Sequence, residues 1–249
     1  MTRLSLTATA TALCLALPAQ AFDLDNMSDA ERDSFRTEIR NYLLENPEVI
    51  MEAVAVLEQR EQAAQAENDN ELVQANTDAL FNDGYSWVGG NPEGDITLVE
   101  FMDYRCGYCR RAFEEVEQLI EQDGNIRLIL KEFPILGEES ELSARFAIAT
   151  QQLAGEDAYK AAHDTLMAFT GPINETSLSR VADTLGLDGA AILDHMSSDE
   201  VTEVITQNRQ LGQRLQISGT PSFVMNDQML RGYLPLEGMM QLAEEIRSQ

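Results

Sequence analysis

The sequence predicts an α/β domain that carries a helical insertion and is preceded by an α-helical segment. Three observations lead to this prediction: nearly continuous apolar runs at residues 96–102 and 126–133, and helical patterns with little strand signal over about 138–215. Apolar runs of this kind are typical of strands that are buried on both faces. A helical pattern at residues 110–122 separates the two runs, so they are predicted to form a right-handed βαβ unit.

The remaining elements frame this unit. A short strand is predicted around residues 85–88, before the first apolar run. After the insertion, the pattern predicts a hairpin with strands at 222–225 and 229–232, and a covering helix over 235–246. Turn residues separate these stretches, as expected for a compact α/β domain.

The composition excludes some classes of function. The chain has 249 residues, of which 44% are hydrophobic, and this suits one domain with an appendage. It has 17 Lys and Arg against 43 Asp and Glu, a net charge of −26. This excess argues against nucleic-acid binding, because phosphate contacts need clustered Lys and Arg. It argues equally against electrostatic docking on an anionic membrane.

Residues 1–21 have the pattern of a cleaved signal peptide. A basic residue near the start is followed by an apolar stretch over residues 4–17 and by a small-x-small sequence, Ala-Gln-Ala, that ends at Ala21. Cleavage after Ala21 leaves two cysteines in the mature chain, Cys106 and Cys109. We therefore expect a periplasmic or secreted protein, in a compartment where disulfides form and persist.

Residues 22–78 are predicted to form an N-terminal helical segment, and residues 79–249 the α/β domain with its insertion at about 138–215. The first helix begins at a capping box, Ser28–Glu31, and a second begins near Pro47. Apolar residues at helical spacing form a stripe on this second helix. They are Val49, Ile50, Ala53, Val54, Val56 and Leu57. The stripe either packs on the chain's own α/β domain or associates with further copies as a homo-oligomer.

The chemistry is predicted at Cys106 and Cys109, directly before the helix of the βαβ unit. As a structural staple, a disulfide across so short a loop would contribute only about 2 kcal/mol. Tetrahedral zinc needs four ligands, and the other available ligands, His163 and His195, have no ligand spacing to each other. We assign no metal and no cofactor, although two thiolates alone can hold Cu(I), which keeps copper binding as an alternative.

A redox-active pair explains more of the pattern. A cysteine at a helix N-terminus has its thiolate stabilised by the helix dipole and by free N–H groups, and the thiolate is the attacking species. Three nearby cations, Arg105, Arg110 and Arg111, are expected to add to this effect. We predict that Cys106 is the exposed, attacking sulfur. Cys109, one helical turn later, is predicted to be more buried and to resolve the mixed disulfide.

Two motifs more than 110 residues apart resemble the DsbA family of thioredoxin-fold oxidoreductases. They are Phe-Met-Asp-Tyr-Arg-Cys-Gly-Tyr-Cys at 101–109 and Ile-Ser-Gly-Thr-Pro-Ser-Phe at 217–223. The match covers about residues 79–249 and implies a thioredoxin-like fold with a helical insertion. The stretches 41–50 and 131–137 resemble ScsC/Com1-type members, which carry an extra N-terminal helical segment.

The resemblance also implies roles for single residues. It implies a cis bond between Thr220 and Pro221 beside the cysteines, with the Thr220 backbone free to pair with a substrate strand. It implies that Glu100 is a buried acid with a raised pKa that assists proton transfer near the resolving cysteine; a solvated Glu100 is the alternative. The predicted substrate-contact residues are Gly107, Tyr108, Thr220 and Pro221.

The predicted function is therefore a thiol–disulfide oxidoreductase that forms, isomerises or reduces disulfides in exported proteins. Its partners would be cysteine-containing exported proteins and a membrane redox partner, oxidising or reducing, that resets the cysteine pair. The competing hypothesis is a copper-binding or holdase-type chaperone that uses the same cysteines and the N-terminal helices. Lys131 and Glu132 end the neighbouring strand, and the sequence assigns them no role.

Overall fold

The structure, a computed structural model, describes residues 26–248. The predicted signal peptide lies outside the described residues. By its internal contacts the chain divides into two units, Met1–Gln59 and Arg60–Gln249. This division differs from the boundary after residue 78 that the sequence predicts. Within residues 26–248, no helix has both the length and the apolar character needed to cross a membrane.

The first unit contains helix α1 (Asp29–Glu45) and the beginning of helix α2 (Glu48–Ala75). The predicted capping box is present: the Ser28 N–H donates to the Glu31 carboxylate at 2.9 Å, and the Glu31 N–H donates to Ser28 Oγ. In this unit the predicted apolar stripe faces solvent. Its exposed members include Ile50, Val54, Val56 and Leu57.

The second unit is a five-stranded sheet covered on both faces by helices. Its strands are β1 (Trp87–Gly90), β2 (Ile96–Met102), β3 (Ile126–Glu132), β4 (Ser222–Met225) and β5 (Gln228–Arg231). The helices outside the insertion are α3 (Thr77–Phe81), α4 (Gly107–Asp123) and α10 (Leu236–Arg247). The insertion consists of α5 (Glu138–Ala154), α6 (Glu156–Ala168), α7 (Glu175–Leu185), α8 (Gly189–His195) and α9 (Asp199–Arg214).

The strand order is β1-β3-β2-β4-β5. Strands β2 and β3 run parallel, as the predicted βαβ unit requires, and every other neighbouring pair is antiparallel. Both parallel strands are buried along almost their whole length, which explains their continuous apolar sequences. The carboxyl end of β2 leads directly into the loop before α4, so the two cysteines follow the carboxyl end of the central strand of the sheet.

Each face of the sheet supports its own apolar core. Because side chains alternate along a strand, Leu98 and Met102 of β2 face one core, and Val99 and Phe101 face the other. The first core is closed by α4, α10 and most of the insertion. The second is closed by α3, by the last turns of α9 and by Val73 near the end of α2. We call the side of the first core the redox face, because α4 packs there.

The end of α2 therefore belongs to the second unit. The sequence predicts a solvated helix or linker over residues 58–71, because almost every residue there is polar. The helix is continuous, but Val73 is only 2% exposed and Asp69 is buried beside Arg231 of β5. Helix α3 was not predicted either, since its five residues are too few to show a helical period.

Candidate active site

The cysteine pair lies at the N-terminus of α4. Cys106 is the N-cap residue in extended conformation, and Cys109 lies in the first turn. Both cysteines are free. Cys109 is fully buried, and Cys106 is 7% exposed. Cys109 is therefore the more buried of the two, as predicted, but the prediction of an exposed Cys106 is wrong. Cys106 is itself buried, because the Thr220 carbonyl lies 3.1 Å from its Sγ and covers it on one side.

The two sulfurs have opposite pKa shifts. The pKa of Cys106 is lowered to about 5, first by a hydrogen bond from the Cys109 thiol, against the effect of burial, and further by the N–H groups of Cys109 and Tyr108. Burial raises the pKa of Cys109 far above its ordinary value, and the bond to Cys106 and the charge of Glu100 raise it further. At neutral pH, Cys106 is a thiolate and Cys109 is its hydrogen-bond donor.

The arginines do not cause this low pKa. The sequence predicts that three guanidinium groups stabilise the Cys106 thiolate, but each is bound elsewhere. Arg105 pairs with Glu139 at 2.9 Å and donates to the Gly171 carbonyl. Arg110 Nε donates to a main-chain carbonyl of the loop before Cys106, and Arg111 lies over the ring of Tyr233. Hydrogen bonds at the helix N-terminus replace the expected ionic effect.

Glu100 lies in the middle of β2, on the redox face. It is 3% exposed, and its Oε1 has no hydrogen-bond partner among the described residues. Burial raises the pKa of Glu100 to about 8, and the charges of Cys106 and Glu117 add to this shift. The alternative of a solvated Glu100 is therefore excluded. A carboxyl group that holds its proton near pH 7 lies within electrostatic reach of both sulfurs.

The second motif closes the site. The Thr220–Pro221 peptide bond is cis, as the resemblance implies, and it immediately precedes β4. Pro221 is buried, and the Thr220 carbonyl oxygen can accept a hydrogen bond from Cys106 only when that sulfur is protonated. The Thr220 hydroxyl is buried and has no partner within the described part of the chain.

Of the two residues between the cysteines, Tyr108 is the more prominent. It is 62% exposed, and its ring lies 6.0 Å from that of Tyr233. A side chain built at Gly107 would meet no described atom within 4 Å, so this position opens toward solvent. The exposed residues that follow Cys106 are therefore a glycine and a tyrosine whose ring lies near that of Tyr233.

A second buried carboxylate, which the sequence assigned no role, lies on the same face. Glu132 ends β3, and its Oε1 accepts hydrogen bonds from the hydroxyls of Tyr104 at 2.7 Å and Tyr159 at 2.8 Å. His163 Nδ1 lies 3.2 Å from the Tyr104 hydroxyl. Burial raises the pKa of Glu132 to about 8, although its two tyrosine partners oppose the shift. The ring of Trp87 stacks on that of Tyr159 at 6.0 Å.

Residue alternation could have revealed this carboxylate. Glu100 is paired in register with Leu130, and Met102 with Glu132. Residues two apart on a strand share a face, so Glu132 had to share a face with Glu100. Lys131 points to the opposite face, where it is fully buried in an ion pair with Asp83.

The histidines are not arranged as metal ligands. His163 is a core residue, and burial lowers its pKa to about 3, so it is neutral. His195 is half-buried and shares a hydrogen bond with Gln152. Among the described residues, no three His, Cys, Asp or Glu side chains are grouped so that they could hold a metal ion.

Fold and site together define a thioredoxin-fold protein with a Cys-x-x-Cys pair at a helix N-terminus and a cis-proline opposite it. A model of the DSBA-like thioredoxin domain matches residues 97–244, more than half of the chain. The chain therefore belongs to the DsbA-like thioredoxin family. A model of the N-terminal domain of the copper resistance protein ScsC matches residues 31–64.

Solved structures agree with this assignment. A thioredoxin-like oxidoreductase from Silicibacter pomeroyi is 44% identical, with a TM-score of 0.65, over 69% of this chain and 98% of that one. BcfH from Salmonella enterica Typhimurium is 28% identical, with a TM-score of 0.71, over 87% of this chain and 95% of that one.

Similar curated proteins are of two kinds. Probable disulfide bond formation protein D of Bacillus anthracis is 25% identical over 55% of this chain and 68% of that protein. The Na(+)/H(+) antiporter NhaA 3 of Salinispora tropica is 27% identical over 61% of this chain. The chain spans only 23% of the length of that antiporter.

Proposed function

We propose that this chain is a thiol–disulfide oxidoreductase of exported proteins, in which Cys106 forms the mixed disulfide and Cys109 resolves it. The observation that carries the proposal is the pair of opposite pKa shifts on two neighbouring sulfurs. The pKa of Cys106 is lowered to about 5, while burial raises that of Cys109. A sulfur with a low pKa is ionised at neutral pH and is also a good leaving group.

In the oxidising direction, a substrate thiolate attacks the Cys106 sulfur of a Cys106–Cys109 disulfide. The mixed disulfide forms, and Cys109 is released and takes up a proton. A second substrate thiolate then attacks the substrate sulfur, and Cys106 leaves as a thiolate. Two electrons pass from the substrate to the cysteine pair, and a substrate disulfide forms. The reverse sequence reduces a substrate disulfide, and isomerisation starts from the Cys106 thiolate with no net electron transfer.

Glu100 is the proposed proton carrier for Cys109. Its burial, its raised pKa and its charge effect on Cys109 support this role. A neutral Glu100 can give its proton to the Cys109 thiolate as that sulfur is released. An ionised Glu100 can take the proton back when Cys109 attacks the mixed disulfide.

The proposed substrate contacts are the residues around the Cys106 sulfur. The exposed ring of Tyr108 and the open position at Gly107 would face the substrate chain. The Thr220 main chain, next to the buried Pro221, would pair with an extended substrate segment, as in β-augmentation. Contact with an aromatic ring and pairing with the main chain do not depend on particular substrate side chains. They suit an enzyme that must accept many sequences around a cysteine.

We propose export by the signal peptide at residues 1–21, and a membrane redox partner that keeps the pair oxidised or reduced. We also propose that residues 22–78 mediate homo-oligomerisation. The support is the solvent-facing apolar stripe of α2, with Ile50 at 50% and Leu57 at 55% exposure, and the match of this segment to the ScsC N-terminal domain. An apolar face of this kind is typical of a helix that packs against a partner.

The test is reactivation of scrambled ribonuclease in glutathione buffer, beside oxidation of reduced ribonuclease. We would compare residues 22–249, a chain starting at Arg60, and the Cys106→Ala variant. The shorter chain starts at Arg60 because a start near residue 76 would remove the buried Val73. Reshuffling by the long chain alone would indicate an isomerase that depends on the N-terminal segment. Oxidation by both chains without reshuffling would indicate an oxidase.

Full activity of Cys106→Ala in both assays would overturn the proposed function. In that case the copper and holdase hypotheses would be tested on the same proteins. Cu(I) titration of the reduced chain against a Cys106→Ala/Cys109→Ala variant reports whether the two thiolates hold copper. Suppression of the aggregation of a cysteine-free client protein reports on chaperone activity that does not need the cysteines.

A further inference from the structure

A buried polar cluster on the redox face takes no part in the thiol chemistry described above. It consists of Tyr104, Glu132, Tyr159 and His163, which are all at most 3% exposed. Buried polar groups are costly unless their hydrogen bonds are made, so the cluster requires an explanation beyond packing.

The hydrogen bonds of the cluster converge on one oxygen. Glu132 Oε1 accepts from both tyrosine hydroxyls. The single hydroxyl hydrogen of Tyr104 is used in that bond, so the neighbouring His163 Nδ1 must carry a hydrogen and donate it to the Tyr104 oxygen. Glu132 Oε2 has no partner in the described chain.

Only one member of the cluster lies in the loop between β2 and α4, which ends at Cys106. Tyr104 is two residues before Cys106, and its carbonyl accepts a hydrogen bond from Arg110 Nε at 2.8 Å. The Cys106 N–H donates to the Asp103 carbonyl at 3.1 Å. The loop is thus held by its main chain to α4 and by the Tyr104 side chain to β3. Tyr159 lies in α6, in the insertion, and is not part of this loop.

We propose that Glu132 is a positioning residue for Cys106, and that it acts through the Tyr104 hydroxyl. This inference rests on the proposed function, because it concerns the same sulfur. The carboxylate fixes the loop before the helix N-cap, and this places the Cys106 sulfur against the Cys109 thiol and the N–H groups of the first turn of α4.

The expected consequence has a definite direction. If the loop shifts, the hydrogen bonds that stabilise the Cys106 thiolate lengthen. The pKa of Cys106 then rises, and the reduced form loses stability relative to the disulfide, so the pair becomes less oxidising. The scale is that of one weakened hydrogen bond, roughly fivefold in the equilibrium constant with glutathione.

Two isosteric variants separate positioning from packing. Tyr104→Phe and Tyr159→Phe each remove one buried hydroxyl that donates to the same Glu132 oxygen. Both are expected to lower the thermal midpoint. Only Tyr104→Phe is expected to raise the pKa of Cys106, measured by alkylation rate against pH, and to shift the glutathione equilibrium about fivefold. Equal shifts in both variants, or no shift in Tyr104→Phe, would overturn the proposal.

A double-mutant cycle tests the route. Glu132→Leu is expected to raise the pKa of Cys106 in the wild-type and Tyr159→Phe backgrounds, but to add nothing in the Tyr104→Phe background. A full additional shift there would mean that Glu132 acts directly and not through Tyr104. If Glu132→Leu does not fold, the two tyrosine variants still decide the question. A wild-type pair that never equilibrates with glutathione would contradict the proposed function instead.

Discussion

Asp69 of α2 and Arg231 of β5 form an ion pair that connects the end of the long helix to the edge of the sheet. Arg231 Nη2 lies 2.5 Å from Asp69 Oδ1, and the same guanidinium donates to the carbonyls of Leu215 and Gln216. Leu215 and Gln216 are the first residues of the loop that leads from α9 to the cis-proline.

Replacing Asp69 with Ala should therefore destabilise the second unit. Arg231 would lose its buried partner, and we expect a cost of about 1–3 kcal/mol in the free energy of unfolding. Urea unfolding measures it. The matched control is Asp95→Ala, which breaks a more exposed pair with Arg247 and should cost less than about 1 kcal/mol. Equal costs would contradict the importance given to the α2 contact.

The Cys109 thiol, rather than any arginine, should control the ionisation of Cys106. Cys109→Ala removes the donor and should raise the pKa of Cys106, whereas Cys109→Ser supplies a hydroxyl donor and should keep it low. Arg105→Gln and Arg111→Ala should leave it close to the wild-type value. Alkylation rates measured against pH give all four values. A larger shift in the arginine variants than in Cys109→Ala would refute this account.

Glu100 should make the reduced protein less stable as the pH rises. The pKa of a glutamate in the unfolded chain is about 4.3, whereas the pKa of Glu100 in the folded protein is raised to about 8. Between these values the folded state binds more protons, so the free energy of unfolding falls with increasing pH. The Glu100→Gln variant lacks this loss. Its free energy of unfolding should therefore rise relative to that of the wild type by up to about 1 kcal/mol per pH unit.

Urea unfolding of the reduced protein between about pH 5 and 8 measures this difference, in the window set by the two pKa values. Glu93→Gln, at an exposed position, serves as the control and should follow the wild type at every pH. Parallel curves for Glu100→Gln and wild type would show that Glu100 does not hold its proton in the folded state.

Self-association through the first unit should depend on the apolar stripe. Ile50→Glu places a charge in the middle of that stripe and should yield monomers in sedimentation experiments. Gln59→Glu adds the same charge at a polar position of α2 and should leave the association state unchanged. A wild-type chain that is already monomeric at high concentration would contradict the proposed homo-oligomer.

The sequence predicted most of the architecture because its signals are local. The apolar runs of β2 and β3, the helical patterns of the insertion and the capping box at Ser28 all depend on residues close together in the chain. The parallel pairing of β2 and β3 followed from the helix between them. Helix α3 was missed because five residues cannot show a period, and the buried end of α2 because the stretch before it, residues 58–71, has no apolar stripe.

The site was predicted less completely, because its electrostatics depend on contacts between distant residues. The two cysteines could be placed from their spacing, and Glu100 from the resemblance to the DsbA family. The partners of the arginines could not, since Glu139 and Tyr233 come from other elements. The same holds for Glu132, whose two tyrosine donors lie 28 and 27 residues away in the chain.

Trp87 makes the buried cluster observable without any label. It is the single tryptophan of the chain, it is 8% exposed, and its indole stacks on Tyr159, one of the two donors to Glu132. Indole emission is sensitive to the polarity and the quenching groups around the ring. The intrinsic fluorescence of the protein should therefore change when Glu132 gains or loses its proton. The Trp87 fluorescence recorded after stopped-flow mixing with a thiol or a disulfide would then report in real time whether the protonation of Glu132 changes during the reaction.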